Sequence, residues 1–383
     1  MNILYLGAFP PLFLVKRSEG KIDSFYRDSR SLLNGFNKIS DVQINVVTSP
    51  DVVSFPQGPL FIRKEFSKEE NVTLVSSFNI SLIKQIWTII SMTKEAMRHV
   101  RHCKGKVVVI IPYMVFRHVF TLRLLKLLNP KKVIQACVVP DVFFPTNWIH
   151  KKVNRFTENM ARKFDVFILY TEKIAERLHI EKDHYVVFEG FREVLNRTPI
   201  KSDEFKVVYA GLLNVKYGVG RLVEAMRLVD DPEVQLHLYG AGSAEPMILE
   251  AIQHDKRIVF HGKVSNEKAT DAIYSASMLI NPRNANDGEF TDYSFPSKDI
   301  EYMSTGIPTL LCKLPGMPVE YYGHFIDLGE ATPEQIAQGI KKIKEMSQED
   351  RDAIGQDARR FIIDRMDNKK QAERLMNLFN NII

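Results

Sequence analysis

An α/β architecture of two parallel-sheet domains is the fold class this sequence predicts, on two observations. Short apolar runs bounded by turn residues alternate with stretches whose apolar positions recur at helical spacing, the pattern of parallel sheets with crossover helices. The chain also has 383 residues, more than one hydrophobic core ordinarily serves, so two domains are expected. Each should be Rossmann-like, with ligands beyond the carboxyl ends of its strands. Two such domains facing each other would form a cleft.

Read along the chain, candidate strands fall at 2–6, 43–48, 72–78, 107–112, 133–139, 166–170 and 185–188 in the first half. In the second half they fall at 206–210, 234–239, 257–261, 277–281, 308–311 and 324–328. Between the later strands, 220–229, 245–254, 265–275 and 332–346 space their apolar residues as helices do. A polar stretch at 197–204 reads as the linker, which places a first domain at 1–200 and a second at 201–366. The charged stretch 348–381 is helical in character, and 367–383 is its last helix.

Hydrophobic residues make up 45% of the chain and charged residues 26%, the balance of a soluble globular protein. Uninterrupted apolar runs stay below the ~18 residues of a spanning helix. The opening Asn2-Ile3-Leu4-Tyr5-Leu6-Gly7 reads as a strand rather than a leader peptide. Cys103, Cys137 and Cys312 are scattered without metal-ligand spacing, so a reduced, cytoplasmic setting is expected. The net charge of +6 is polarised: residues 1–200 carry 30 Lys and Arg against 18 Asp and Glu, and the remainder 22 against 28. Between 96 and 163, 14 basic residues face only Asp141 and Glu158. That asymmetry points to an anionic surface or ligand at the first domain, or to solvated faces of ordinary helices. The stretches 81–102 and 116–128 mix apolar residues with Arg98, Arg101, Arg117, Arg123 and Lys126. They read as interfacial helices on an anionic membrane, or as core helices whose cations snorkel.

The densest functional signal is Ser294-Phe295-Pro296-Ser297-Lys298-Asp299-Ile300-Glu301-Tyr302-Met303-Ser304-Thr305-Gly306-Ile307-Pro308. Pro296 suits the first turn of a helix. Gly306 should close that helix about three turns later, before a buried strand. Free N–H groups at the helix start, beside Ser297 and Lys298, suit an anion. Lys298 and Glu301 are three apart and project from one face. A diphosphate at one end of that face and a sugar diol bonded to the carboxylate make a nucleotide-sugar site.

These residues resemble the donor-binding signature of GT-B glycosyltransferases, retaining family 4 and its relatives, especially enzymes of bacterial surface-polysaccharide assembly. Val207-Val208-Tyr209-Ala210-Gly211, leading into Lys216-Tyr217-Gly218-Val219, is similar to the family's first strand and loop. Leu236-His237-Leu238-Tyr239-Gly240-Ala241-Gly242, Ile258-Val259-Phe260-His261-Gly262-Lys263-Val264 and Leu279-Ile280-Asn281-Pro282-Arg283 resemble later strand–turn units. Tyr170-Thr171-Glu172-Lys173 and Val187-Phe188-Glu189-Gly190 resemble the end of the first domain. The likeness is dense over 205–325 and thin before 135. It implies a retaining transferase that moves a sugar from a nucleoside-diphosphate donor to a glycan or lipid-linked glycan acceptor. It implies no metal and no cofactor besides the donor, and a terminal helix, 367–383, packed back toward the first domain. By the same resemblance Glu301 holds the donor ribose, Lys298, Arg283 or Lys216 offsets diphosphate charge, and Lys263 and Val264 offer backbone groups to the nucleobase. Pro296, Ser297 and Gly211 complete that expected donor site.

Two positions depart from the family pattern. Leu212 stands where an Arg usually follows Gly211, and Lys216 precedes the usual Lys position, which Tyr217 holds. The second Glu expected eight positions before Glu301 is Tyr293, which leaves Glu289 as its candidate replacement at the donor sugar. The alternative reading of Glu289, with Asp287 and Asp292, is a solvated acidic loop. Asp141, after the strand at 133–139, is the candidate to orient the acceptor hydroxyl or the donor sugar; a helix N-cap is its other reading. Gly7, before Ala8-Phe9-Pro10-Pro11, either permits close approach of a ligand or simply ends a strand. Gly240-Ala241-Gly242 lacks the third Gly of a dinucleotide fingerprint and reads as a tight turn. His118, His150 and His184 have no partner at a recognisable spacing. The sequence holds no Ser-His-Asp order, His-Glu-x-x-His or paired-Asp metal motif, which argues against a hydrolase and a metal-clamped inverting transferase. Three other readings stay open: a nucleotide-sugar epimerase of the same fold, a non-catalytic nucleotide-sugar binder, and a nucleic-acid binder. The last is prompted by a pI of 9.0 and opposed by the acidic second half, so nucleic acid is not an expected partner.

Overall fold

The computed structural model describes residues 1–9, 11, 24–50, 52–145, 147–191 and 194–382. The chain forms two compact units, Met1–Glu193 with Met366–Ile383, and Val194–Arg365.

In chain order the first unit contains β1 (Asn2–Gly7), α1 (Ser24–Asn37), β2 (Gln43–Thr48), β3 (Phe61–Ile62), β4 (Glu65–Ser67), β5 (Val72–Leu74), β6 (Ser77–Phe78) and α2 (Ser81–His102). It continues with β7 (Val107–Pro112), α3 (Phe116–Leu128), β8 (Val133–Val139), α4 (Trp148–Ala161), β9 (Val166–Leu169), α5 (Glu172–Leu178) and β10 (Tyr185–Val187). Eight strands form one sheet in the order β10-β9-β8-β7-β1-β2-β5-β4. All its pairings are parallel except that of β4 with β5. β7 and β8 are buried at every residue, which is why they are unbroken apolar runs. The expected strand 72–78 is divided: β5 joins the main sheet, whereas β6 pairs antiparallel with β3 in a separate ribbon. β3 and β4 are two and three residues long, too short to show an alternation of period 2 in sequence.

The second unit runs β11 (Phe205–Ala210), α6 (Val219–Ala225), β12 (Val234–Tyr239), α7 (Glu245–His254), β13 (Ile258–Gly262), α8 (Asn266–Tyr274) and β14 (Met278–Asn281). It then adds α9 (Ser297–Met303), β15 (Thr309–Leu311), β16 (Ile326–Asp327), α10 (Pro333–Glu345) and α11 (Gln348–Arg365). Its sheet is parallel, in the order β13-β12-β11-β14-β15-β16. The stretch read as a linker packs within this unit: Arg359 Nη1 donates to Arg197 O at 2.8 Å and to Thr305 O at 3.0 Å. α9 is shorter than expected. Ser304 Oγ and Thr305 Oγ1 turn back onto the carbonyls of Glu301 and Tyr302, each at 2.7 Å, competing with helical bonds. Gly306, at φ 88°, then carries the chain toward β15.

The last helix, α12 (Asn368–Ile382), belongs to the first unit. Phe379 stacks on Phe36 of α1 with ring centroids 6.3 Å apart, and Gln371 Nε2 donates to Gly190 O at 3.1 Å.

Candidate functional site

Chain order reverses direction across the second sheet between β11 and β14, and the crevice beyond their carboxyl ends is where such a sheet takes a ligand. Gly211 follows β11, Pro282-Arg283 follows β14, and α9 opens with Ser297 and Lys298. The half-buried Lys298 places Nζ 3.4 Å from the centroid of the Tyr209 ring. Gly211, at φ 150°, adopts a backbone conformation that favours glycine, and a Cβ there would push the end of the Lys298 side chain aside. Burial pushes that ammonium's pKa down to about 7, with Asp299 and Glu301 pulling the other way.

Two buried tyrosines fix this corner. Tyr209 donates its hydroxyl to Leu212 O at 2.9 Å, setting the loop after β11. Tyr302 of α9 accepts the Ala210 N–H at 2.8 Å and reaches back to Ala210 O at 3.3 Å. Lys298 is therefore mounted on a helix bolted to the strand end it serves.

Arg283 Nη2 donates to Ser294 Oγ at 2.5 Å, and its guanidinium lies 4.5 Å from the Phe290 ring and 5.7 Å from the Tyr217 ring. The Lys216 ammonium lies 4.9 Å from Tyr217 and 5.5 Å from Phe290. Those two rings meet edge to face at 5.9 Å, so both cations rest on one aromatic pair. Cation–π contacts contribute about 0.5–2 kcal/mol, less than a pair of charge-assisted hydrogen bonds at about 1.5–3 kcal/mol each. An incoming diphosphate can draw the cations off the rings. Arg283 Nε is buried with no hydrogen-bond partner, a donor a ligand would satisfy, and burial lowers the pKa of the guanidinium. Beneath the cations Asp299, 2% exposed, accepts from Asn281 Nδ2 at 2.6 Å. Burial lifts its pKa to about 6 against the Asn281 bond and the charges of Arg283 and Lys298.

Glu301 is half-buried on α9, one turn past Lys298. Pro296 precedes α9, its carbonyl accepting the Asp299 N–H at 2.9 Å. With only seven residues in α9, an anion at its start would meet the charges of Lys298 and Arg283 more than a helix dipole. Lys263 is exposed and Val264 half-buried just after β13. Glu289 is exposed beside Phe290. Asp287 is not a solvated acid: Arg221 grips it at 2.8 and 3.0 Å while also donating to Pro282 O at 2.8 Å, which sets the backbone before Arg283.

In the first unit, Asp141 follows β8 and lines a cavity of about 490 Å³ with Tyr113, which follows β7. Burial, and then Asp141, raise the Tyr113 phenol. Asp141 does not cap a helix; Asn147 caps α4, accepting the Ile149 N–H at 2.8 Å. Gly7 makes its close approach to the Pro112 ring, a packing role, and Pro10 lies outside the described residues. His118 is buried, with a pKa held down to about 3 by that burial, and His184 bonds to Asp165 O at 2.9 Å. Arg123 donates to Gln135 Oε1 at 3.0 Å and Lys126 pairs with Asp165 at 3.0 Å, so these two cations hold the fold. By contrast, α2 exposes Ile83, Ile86, Trp87 and Ile90 as one stripe, at 46, 64, 39 and 61%. Among the described residues no helix is long and apolar enough to cross a membrane.

Sequence reasoning passed over Tyr209, Tyr302, Asn281, Asp299 and Phe290. Asn281 was visible as a polar residue closing the apolar run Met278-Leu279-Ile280, whereas Asp299, between Lys298 and Ile300, gave no such signal.

Residues 204–345 match the family model of glycosyl transferases group 1. No curated protein matches the chain. Among solved structures, HepE of Anabaena in complex with UDP is similar at a TM-score of 0.68 and 13% identity, over 100% of both chains. Sucrose-phosphate synthase of Thermosynechococcus elongatus is similar at 0.64 and 13%, over 100% of this chain and 99% of that one. A TarM variant from S. aureus, solved with fondaparinux, alpha-GlcNAc-glycerol and UDP, is similar at 0.58 and 15%, over 84% of this chain and 64% of that one. At these identities the likeness shows the fold, which is GT-B.

Proposed function

On the match of residues 204–345 to the family model of glycosyl transferases group 1, we propose that the protein moves a sugar from a nucleoside-diphosphate sugar to a glycan or lipid-linked glycan acceptor, retaining anomeric configuration. The observation that carries this is the meeting of Lys298, Arg283 and side-chain-free Gly211 at the switch point of the second sheet. Breaking the bond between the sugar's anomeric carbon and the diphosphate leaves negative charge on phosphate oxygens. Fixed cations at that spot lower the barrier, and Arg283 supplies the charge that Leu212 does not. Glu301 accepts from the ribose hydroxyls, Pro296 and Ser297 shape the start of the phosphate site, and Lys216 leaves the aromatic pair for the diphosphate. Lys263 and Val264 border the base, and Glu289 contacts the donor sugar. The first unit takes the acceptor, with Asp141 orienting its hydroxyl. Retention places the new bond on the face the diphosphate leaves, so a departing phosphate oxygen takes the acceptor's proton. HepE, solved with UDP and with UDP-glucose, makes uridine nucleotides the first donors to try.

We extend the proposal to a place in polysaccharide assembly at the cytoplasmic face of a membrane, without metal or further cofactor. The exposed apolar stripe of α2 and the basic surplus of the first unit support contact with anionic lipid. The direct test is incubation with labelled UDP-glucose and other nucleotide sugars without acceptor. Slow release of free sugar, abolished by Lys298→Met, supports the transferase; no release from any donor, with nucleotide still bound, leaves a binding protein.

A further inference from the structure

Asp299 places a carboxylate beneath two cations, in the crevice proposed to take a diphosphate. It is 2% exposed and accepts a hydrogen bond from Asn281 Nδ2 at 2.6 Å. Asn281 closes β14 two residues before Arg283, and Asp299 follows Lys298 in the first turn of α9. The bond thus ties together the two backbone segments that carry the cations. A single amide donor does not repay the desolvation of a carboxylate, and a helix of seven residues adds little dipole. Lys298 and Arg283 make up the difference. Burial lifts the Asp299 pKa to about 6, and Asn281, Arg283 and Lys298 pull it back.

The attraction is mutual. Lys298 Nζ rests on the Tyr209 ring, 3.4 Å from its centroid, where water stabilises the charge less than it does in bulk. Burial lowers the pKa of this ammonium; Asp299 and Glu301 oppose that loss, and Arg283 adds to it. Asp299 is the more buried of the two carboxylates, so solvent screens it less. Tyr209, Tyr302 and Cys312 also feel Asp299, but burial keeps their phenols and thiol neutral. Without Asp299, Lys298 would shed its proton at lower pH and meet an arriving diphosphate uncharged.

We propose that Asp299 is a positioning residue: it keeps Lys298 protonated and in place until a donor diphosphate arrives. The assignment rests on the transferase reading for the diphosphate, whereas the proton on Lys298 is measured without any nucleotide.

The test compares wild type with Asp299→Asn, which keeps the shape and the acceptor for Asn281 but not the charge. Lys298 is titrated by NMR in the full chain labelled at lysine ε-carbons, with Lys298→Met assigning its signal. UDP affinity is measured by calorimetry across the same pH range. In Asp299→Asn the Lys298 midpoint should fall by about one pH unit, equal to a ~10-fold drop in the protonated share above both midpoints. The alkaline fall in UDP affinity should begin lower by the same amount, whatever offset the lost repulsion between carboxylate and diphosphate adds. In the Lys298→Met background, Asp299→Asn should leave the pH dependence of UDP binding above about pH 7 unchanged. Asn281→Ala removes a hydrogen bond that holds Asp299 ionised. It should move the Lys298 midpoint the same way by less, a second route should Asp299→Asn fold poorly. An unmoved or raised Lys298 midpoint in the folded variants overturns the proposal, as does an alkaline shift in UDP binding that persists without Lys298. A lowered midpoint with no nucleotide binding at all upholds the role of Asp299 and removes the transferase reading instead.

Discussion

Replacing Lys298 with methionine should make the protein more stable and its donor site weaker. Lys298 is held as a half-buried cation whose pKa falls from 10.5 to about 7. At 1.36 kcal/mol per pH unit that drop has a ceiling of about 5 kcal/mol. Because Lys298 is only half-buried, solvent screening together with the Tyr209 ring beneath its ammonium offsets most of the cost. A net gain of about 1–2 kcal/mol remains for the methionine variant, or about 2–8 °C in Tm for a unit of this size. The sign with pH follows from the depressed value. Below about pH 7 both folded and unfolded states carry the proton and the folded state bears the full cost; as pH rises toward 10.5 the cost disappears. The stabilisation should therefore be largest near pH 6.5 and fade toward pH 10. Affinity moves the other way: losing one charge-assisted contact to diphosphate costs about 1.5–3 kcal/mol, or ~10- to 150-fold. Wild-type affinity for UDP should fall as pH rises through about 7, with the variant nearly flat. Thermal melts at pH 6.5 and 9.5, paired with UDP titrations at both, give all four quantities. A variant less stable at pH 6.5, or one with undiminished UDP affinity, refutes the reasoning.

Three further outcomes follow from the same geometry. Tyr302→Phe leaves the buried Ala210 N–H without its 2.8 Å acceptor and should cost about 1–3 kcal/mol of stability in chemical denaturation; a neutral result would mean that the tie between α9 and β11 is dispensable. Arg283→Ala should lower kcat by about 10²-fold or more if Arg283 offsets leaving-group charge, whereas a change confined to KM would mark it as a binding cation only. Ile86→Ser with Ile90→Ser should release the protein from vesicles containing anionic phospholipid in a flotation assay; unchanged flotation would remove α2 from the membrane contact.

Most of the architecture was legible because parallel strands buried on both faces, such as β7 and β8, must be continuous apolar runs. The segment proposed to hold the donor stood out because Pro296, Lys298, Glu301 and Gly306 bunch within eleven residues. Other features were hidden because they depend on pairings between distant residues. Asp299 finds Asn281 from eighteen positions away, and the ring of Tyr209 lies under Lys298 only once β11 and α9 are docked. The length of α9 was overread, since Ser304 and Thr305 end it by side-chain bonds that compete with the helix. The alternative of a solvated acidic loop at 284–292 does not hold for Asp287, whose partner Arg221 lies sixty-six residues earlier.

The central claim is that α9 holds a nucleoside diphosphate with Glu301 on its ribose. It is tested most directly by calorimetric titration of wild type and Glu301→Ala with UDP, GDP, CDP and dTDP. One of them should bind at about micromolar strength, and the substitution should weaken it by ~10-fold or more, about 1.4 kcal/mol. Binding of none of the four, with Glu301→Ala indistinguishable from wild type, would contradict it.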